Sequence, residues 1–153
     1  MTTLCCKVLD ALKGKTLVTA ESCTGGGIGT ALTSIPGSSE VYKGGVICYT
    51  DWVKEHILGI DRMLLELHGA VSQQVAEAMA VNVREKMDAD VAVSVTGLAG
   101  PGGDTYGNAV GTVYIGYSSR QNTVVRRFQF SGNRETVRKL SVDAALHMIL
   151  EYN

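Results

Sequence analysis

Three groups of residues in this chain have the types and spacing for chemistry. The first is "AESCTGGGIGT", residues 20 to 30, in which Ser22, Cys23 and Thr24 run into three consecutive glycines. If a helix begins there, its first backbone N–H groups have no intrahelical acceptor, and glycines would let an anion approach them. The spacing does not fit GxGxxG, there is no P-loop lysine, and Glu21 stands where GxSxG needs a glycine. Two readings stay open: an anion or oxyanion cradle built from Ser22, Thr24, Gly25 and Gly26, or a plain strand-to-helix turn. Cys23 becomes nucleophilic only if a helix N-terminus lowers its pKa. Otherwise it is a small apolar side chain.

The second group is Ser38, Ser39, Tyr49 and Lys54. A serine hydroxyl is a poor nucleophile until a base removes its proton, and a partly desolvated lysine can be that base. A tyrosine between them can relay the proton or hold the amine. Set against this is the plain reading: turn serines, a strand aromatic and a surface lysine. The third group closes the second apolar strand, where Thr96 and Gly97 offer a hydroxyl and an N–H for oxyanion stabilisation. Arg134 and Arg138, one helical turn apart, would grip a phosphate or simply face water. His56, His68 and His147 have no mutual spacing that suits a metal, and the aspartates form no metal-binding run.

These groups need elements to carry them. Leu4, Val8 and Leu12 predict a helix over residues 3 to 13, closed by Gly14. "KTLVTA" reads as a buried strand leading into the glycine turn and a helix to about Leu32. "EVYKGGVICYT" reads as a strand, and Asp51 as the cap of a short helix bearing Lys54. A helix from Ser72 buries Val75, Met79, Val83 and Met87, and "DVAVSVTG" is a second buried strand. "AVGTVYIGY" and "TVVRRFQF" form a hairpin. A last helix from about Asn133 carries Val137, Leu140, Ala144 and Met148 on one side. Strands alternating with helices, then a hairpin, predict one layered α/β domain with a mixed sheet. Both glycine-rich loops come after strands, where such sheets bind ligands.

At 153 residues the chain reads as one domain, residues 1–153, with 45% apolar and 19% charged residues, enough to bury its own core. A net charge of −1 gives no electrostatic case for nucleic acid or an anionic membrane. No membrane-length apolar run or signal-peptide pattern is present, so a cytoplasmic protein is expected. Cys5, Cys6, Cys23 and Cys48 have no zinc-type spacing.

The stretches "AESCTGG", "PGSSEVYKGGVICYTDWVKEHILGI", "GAVS", "VTGLAGPGGD" and "VGTVYIGY" together resemble, in order and spacing, the C-terminal domain of the competence/damage-inducible protein CinA. The resemblance runs from about Leu17 to Leu150. It implies a three-layer α/β/α domain, a cytoplasmic homodimer needing neither cofactor nor metal. It also implies deamidation of nicotinamide mononucleotide to nicotinate mononucleotide and ammonia. The family's Ser-Tyr-Lys set would fall on Ser39, Tyr49 and Lys54, with Ser22 as the rival nucleophile. Ser22, Thr24, Gly25, Gly26, Thr96, Gly97 and either Arg134 or Arg138 would bind substrate. Where the family commonly has Lys-Pro, this chain has Asn108-Ala109. A lost cation and a looser loop there would weaken binding, which leaves an inactive, ligand-binding paralogue as the alternative. Hydrolysis of a different amide is a third reading.

Overall fold

The computed structural model describes residues 1–153. Its strands are β1 (Leu17–Glu21), β2 (Tyr42–Ile47), β3 (Val91–Gly97), β4 (Thr112–Ser119) and β5 (Thr123–Gln129). They form one mixed sheet in the order β2-β1-β3-β4-β5. β1 runs parallel to both β2 and β3, while β3–β4 and β4–β5 are antiparallel. The helices are α1 (Thr2–Ala11), α2 (Gly27–Thr33), α3 (Asp51–His56), α4 (Arg62–His68), α5 (Gln73–Lys86) and α6 (Arg134–Tyr152).

The period of two in the central strands sorts the helices into layers. Leu17 of β1 and Val91, Val93 and Val95 of β3 join the larger core cluster with α1, α2 and α6. Val18, Ala20 and Ala92 point the other way, into a smaller cluster with Leu65 of α4 and Val75, Met79 and Val83 of α5. Helices therefore cover both faces, as the α/β/α reading expected. Gly116 of β4 brings α5 close to the sheet. A Cβ there would sit 2.6 Å from Ser94 Oγ and 2.8 Å from the Ala76 carbonyl oxygen.

Local chemistry explains most boundaries, with three departures from the sequence reading. Thr50, not Asp51, caps α3, its hydroxyl accepting the Val53 N–H. α4 is an additional helix, capped by Asp61, whose side chain accepts from the Met63 N–H. On α6 the buried face comprises Val137, Ser141, Val142, Ala145, Leu146, Met148 and Ile149, whereas Leu140 is exposed. The long helix lies against α1 and α2 as well as the sheet. Its buried stripe is therefore wider than one sheet contact needs and is rotated away from Leu140.

β1, β2 and β3 are parallel, so their carboxyl ends lie at one edge of the sheet. Three connecting segments gather at that edge: the glycine turn after β1, residues 48–54 after β2 and residues 98–103 after β3.

Candidate active site

A cleft of about 440 Å³ opens at that edge, lined by Ser22, Cys23, Tyr49, Lys54, Thr96, Gly97 and Arg134 among others. Its floor is set by backbone pairing. The Ser22 N–H donates to the Val95 carbonyl, and the Cys48 N–H to the Glu21 carbonyl, both at 2.9 Å. These bonds extend the sheet by one residue and aim Ser22 into the cleft.

Lys54 is 1% exposed although it carries an amine. Its Nζ lies 3.1 Å from Ser22 Oγ and 2.7 Å from the Cys48 carbonyl oxygen, to which it donates. Burial holds the Lys54 pKa below its usual 10.5, an effect partly offset by the flanking Cys48, Asp51 and Cys23. The amine therefore reaches its neutral form more easily than a surface lysine does. A neutral amine that donates to Cys48 keeps a lone pair for the Ser22 proton.

Ser39 does not join this pair. It sits exposed in a one-turn 3-10 helix, Ser38–Glu40, that precedes β2, whereas Tyr49 and Lys54 come after it. The six residues of β2, at about 3.3 Å each, put roughly 20 Å between the two ends. The structure therefore does not bring the expected Ser39–Tyr49–Lys54 set together; it places Ser22, the rival nucleophile, against Lys54. Tyr49 stands at the rim.

The glycine turn is corrected as well. Gly25 and Gly26 have φ of 59° and 98°, left-handed values that glycine adopts without steric cost. Neither they nor Thr24 line the cleft. The N-terminus of α2 is already occupied, because the Glu21 carboxylate accepts the Ile28 and Gly29 N–H groups at 2.8 and 3.1 Å. The Thr24 hydroxyl donates to that carboxylate at 2.8 Å. Those two N–H groups are therefore not free for an external anion. Cys23 lines the cleft, but burial pushes its thiol up to about 11, so it stays protonated near neutrality. Cys48 is pushed up to about 11 by burial too.

The two arginines separate by one turn of α6. Arg134 Nη1 donates to the Gly100 carbonyl at 2.8 Å and Nη2 to the Tyr49 hydroxyl at 2.9 Å, closing the mouth of the cleft. Arg138 points away from the cleft and donates to the carbonyls of Cys23 and Thr24 at 3.0 and 3.2 Å, bracing the turn from behind. The Thr96 hydroxyl donates to the Ala70 carbonyl at 2.8 Å, so toward the cleft it offers only lone pairs. Gly97 lines the cleft beside it.

The loop carrying Asn108 is pinned where a looser one was expected. Asn108 Nδ2 donates to the Val71 carbonyl at 3.0 Å and to Asp104 Oδ2 at 2.7 Å. Tyr106 adds a bond from its hydroxyl to the Glu66 carbonyl at 2.8 Å. No group of three or more His, Cys, Asp or Glu side chains converges in the chain.

Sequence reasoning missed Glu21 as a functional neighbour. The available signal was a lone acid ending an otherwise apolar strand immediately before a glycine turn. Such a side chain is buried by its position and must find donors.

The chain resembles known proteins in sequence and in overall fold. The family model described as the CinA C-terminal domain matches residues 2–153. A CinA-like protein of Desulfotalea psychrophila is 49% identical over 140 residues, covering 92% of this chain and 34% of that protein. A putative competence-damage inducible protein of Geobacillus kaustophilus is 46% identical over 152 residues, 97% of this chain and 36% of its own length. The chain thus spans about a third of the length of these curated relatives. Among solved structures, the competence damage-inducible protein A of Klebsiella pneumoniae superposes with a TM-score of 0.96 at 35% identity, covering 99% of this chain and 95% of that one. A competence/damage inducible protein of Agrobacterium tumefaciens gives 0.94 at 36%, with 98% and 93% covered. A mixed five-stranded sheet between helices, matched along essentially its whole length in both sequence and structure, leaves one assignment: the chain belongs to the CinA C-terminal domain family.

Proposed function

We propose that the chain is an amide hydrolase that deamidates nicotinamide mononucleotide, with Ser22 as nucleophile and Lys54 as its base. The observation carrying this reading is the buried Lys54 amine, 3.1 Å from the Ser22 hydroxyl at the floor of the cleft. The choice of substrate rests on the motif resemblance.

Neutral Lys54 accepts the Ser22 proton as Oγ bonds to the carboxamide carbon, turning the carbonyl into a tetrahedral oxyanion. The N–H groups of Cys23 and Thr24 engage no acceptor in the chain's helices, strands or turns, and they lie directly after the nucleophile. Of the two, the Cys23 N–H belongs to a residue that lines the cleft, and it is the donor assigned to that oxyanion, contributing about 3–4 kcal/mol when well aimed. The Thr96 hydroxyl, committed as a donor to Ala70, accepts an N–H of the carboxamide nitrogen. Lys54 then returns its proton to that nitrogen, the C–N bond breaks and ammonia leaves. Water, losing a proton to the same amine, attacks the Ser22 ester. Cleavage of the ester releases the carboxylate product and restores the serine.

Purified protein incubated with nicotinamide mononucleotide should release ammonia in step with the carboxylate product. Tight binding in a calorimeter without ammonia would favour the ligand-binding paralogue instead. The arginines make a paired prediction. Arg134→Ala lowers turnover by about 10–100-fold through Tyr49 and the 98–103 loop, a loss of the size that one misplaced site group brings. Arg138→Ala chiefly lowers stability, by about 1.5–3 kcal/mol, because it removes two charged hydrogen bonds to carbonyls. Steady-state kinetics and urea titration of both variants check the split.

A further inference from the structure

Glu21 is 2% exposed and stands next to Ser22, yet it does not line the cleft. Its carboxylate is saturated. Oε1 accepts from the Thr24 hydroxyl and the Ile28 N–H, each at 2.8 Å. Oε2 accepts from the Gly29 N–H at 3.1 Å and the Thr19 hydroxyl at 3.2 Å. The Thr19 hydroxyl lies 2.7 Å from the Tyr42 hydroxyl, which ties the network to β2. All four partners are neutral dipoles, and two of them belong to the first turn of α2. A buried carboxylate is tolerated when several N–H and O–H groups are aimed at it.

The main chain of the same residue does a second job. The Glu21 carbonyl accepts the Cys48 N–H at 2.9 Å, and the Cys48 carbonyl accepts from Lys54 Nζ at 2.7 Å. One residue therefore registers both halves of the serine–lysine pair. Its side chain folds residues 22–29 back on themselves through Thr24 and α2, and its backbone sets the strand end from which Lys54 is held.

We infer that Glu21 is a positioning residue for Ser22, its carboxylate holding the 22–26 turn in the conformation that presents the hydroxyl to Lys54. This rests on the serine–lysine reading of the cleft. The substitution Glu21→Gln keeps the shape but puts an NH2 group against either the Ile28 or the Gly29 N–H, which cannot turn round to accept. The Thr19 and Thr24 hydroxyls can. One backbone donor at the α2 start is then left without an acceptor, and the turn loosens.

The test combines turnover of nicotinamide mononucleotide, the labelling rate of Ser22 by a fluorophosphonate, and amide hydrogen exchange across residues 22–26. In Glu21→Gln, kcat per labelled site should fall at least tenfold with KM changed less than threefold. Labelling should slow in parallel, and exchange in the turn should quicken. A variant that matches the wild type in turnover per site and in turn exchange, whatever its melting temperature, overturns the inference and leaves Glu21 a helix cap. Should Glu21→Gln fail to fold, Thr24→Val decides: it removes one donor and keeps the acid, and unchanged turnover with unchanged exchange overturns the inference equally. If the wild type neither turns over nor is labelled, the Ser22 reading fails. Exchange in the turn, read without any activity, then still decides whether Glu21 holds it.

Discussion

Ser22→Ala removes turnover of nicotinamide mononucleotide by about 10⁴-fold or more while the fold persists, whereas Ser39→Ala leaves it unchanged. The size reflects the loss of the attacking atom from a nucleophile–base unit, whose members are not additive. The contrast comes from placement. Ser22 Oγ is 3.1 Å from the Lys54 amine, and Ser39 lies in the exposed turn at the far end of β2. Stability should hardly move in Ser22→Ala, since the hydroxyl is small and Lys54 keeps its bond to the Cys48 carbonyl. Ammonia release, with circular dichroism as the folding control, checks both variants. Full activity in Ser22→Ala would sink the nucleophile assignment outright.

Lys54→Met likewise stops turnover, by about 10³-fold or more, and in addition changes how stability depends on pH. Burial lowers the folded-state pKa of Lys54 below 10.5, the value expected in the unfolded chain. Between the two values the unfolded chain binds a proton that the folded chain does not. Stability therefore rises with pH across that window, by up to about 1.4 kcal/mol per unit. Below the folded pKa the cost of burying a charge is fully present. The wild type should gain on Lys54→Met as pH climbs toward 10.5, and urea titrations of both proteins over that range read the gap. The same pKa governs activity. Because the neutral amine is the base, kcat/KM should rise with pH along a limb that lies below the ordinary lysine range. A limb at the ordinary lysine value would mean that Lys54 is not desolvated in solution.

Much of this could be read from one dimension. The apolar runs of β1 and β3 and the glycine punctuation after each strand all arise from local composition and turn chemistry. They led to a mixed sheet with ligand chemistry at the strand ends. Lys54 and Tyr49 line the same cleft, as five residues across one strand-to-helix junction allow, though Tyr49 bonds Arg134 at the rim and not Lys54. Thr96 lines the cleft, but its hydroxyl donates to the Ala70 carbonyl and so is not the oxyanion donor that its strand-end position suggested.

Which serine they meet was a different matter. Ser39 precedes β2 and Lys54 follows it, so the length of that strand already parts them, but nothing local tells that the turn after β1 brings Ser22 to Lys54 instead. The pairing of β1 between β2 and β3 decides it, since parallel neighbours bring residues 22, 48–54 and 96–103 to one edge and leave 38–40 at the other. That is long-range information, carried by hydrogen bonds between strands far apart in the chain. Tertiary packing also settled the charges. Sequence alone left Glu21 without a role, Lys54 as either a partly desolvated base or a surface lysine, and Arg134 and Arg138 as a matched pair. Burial turned the first into a clamp on α2 and lowered the pKa of the second. One helical turn on α6 sent Arg134 to the cleft and Arg138 behind the glycine turn. A side chain's type is written in the sequence, but its solvation and its partner exist only once distant segments have packed.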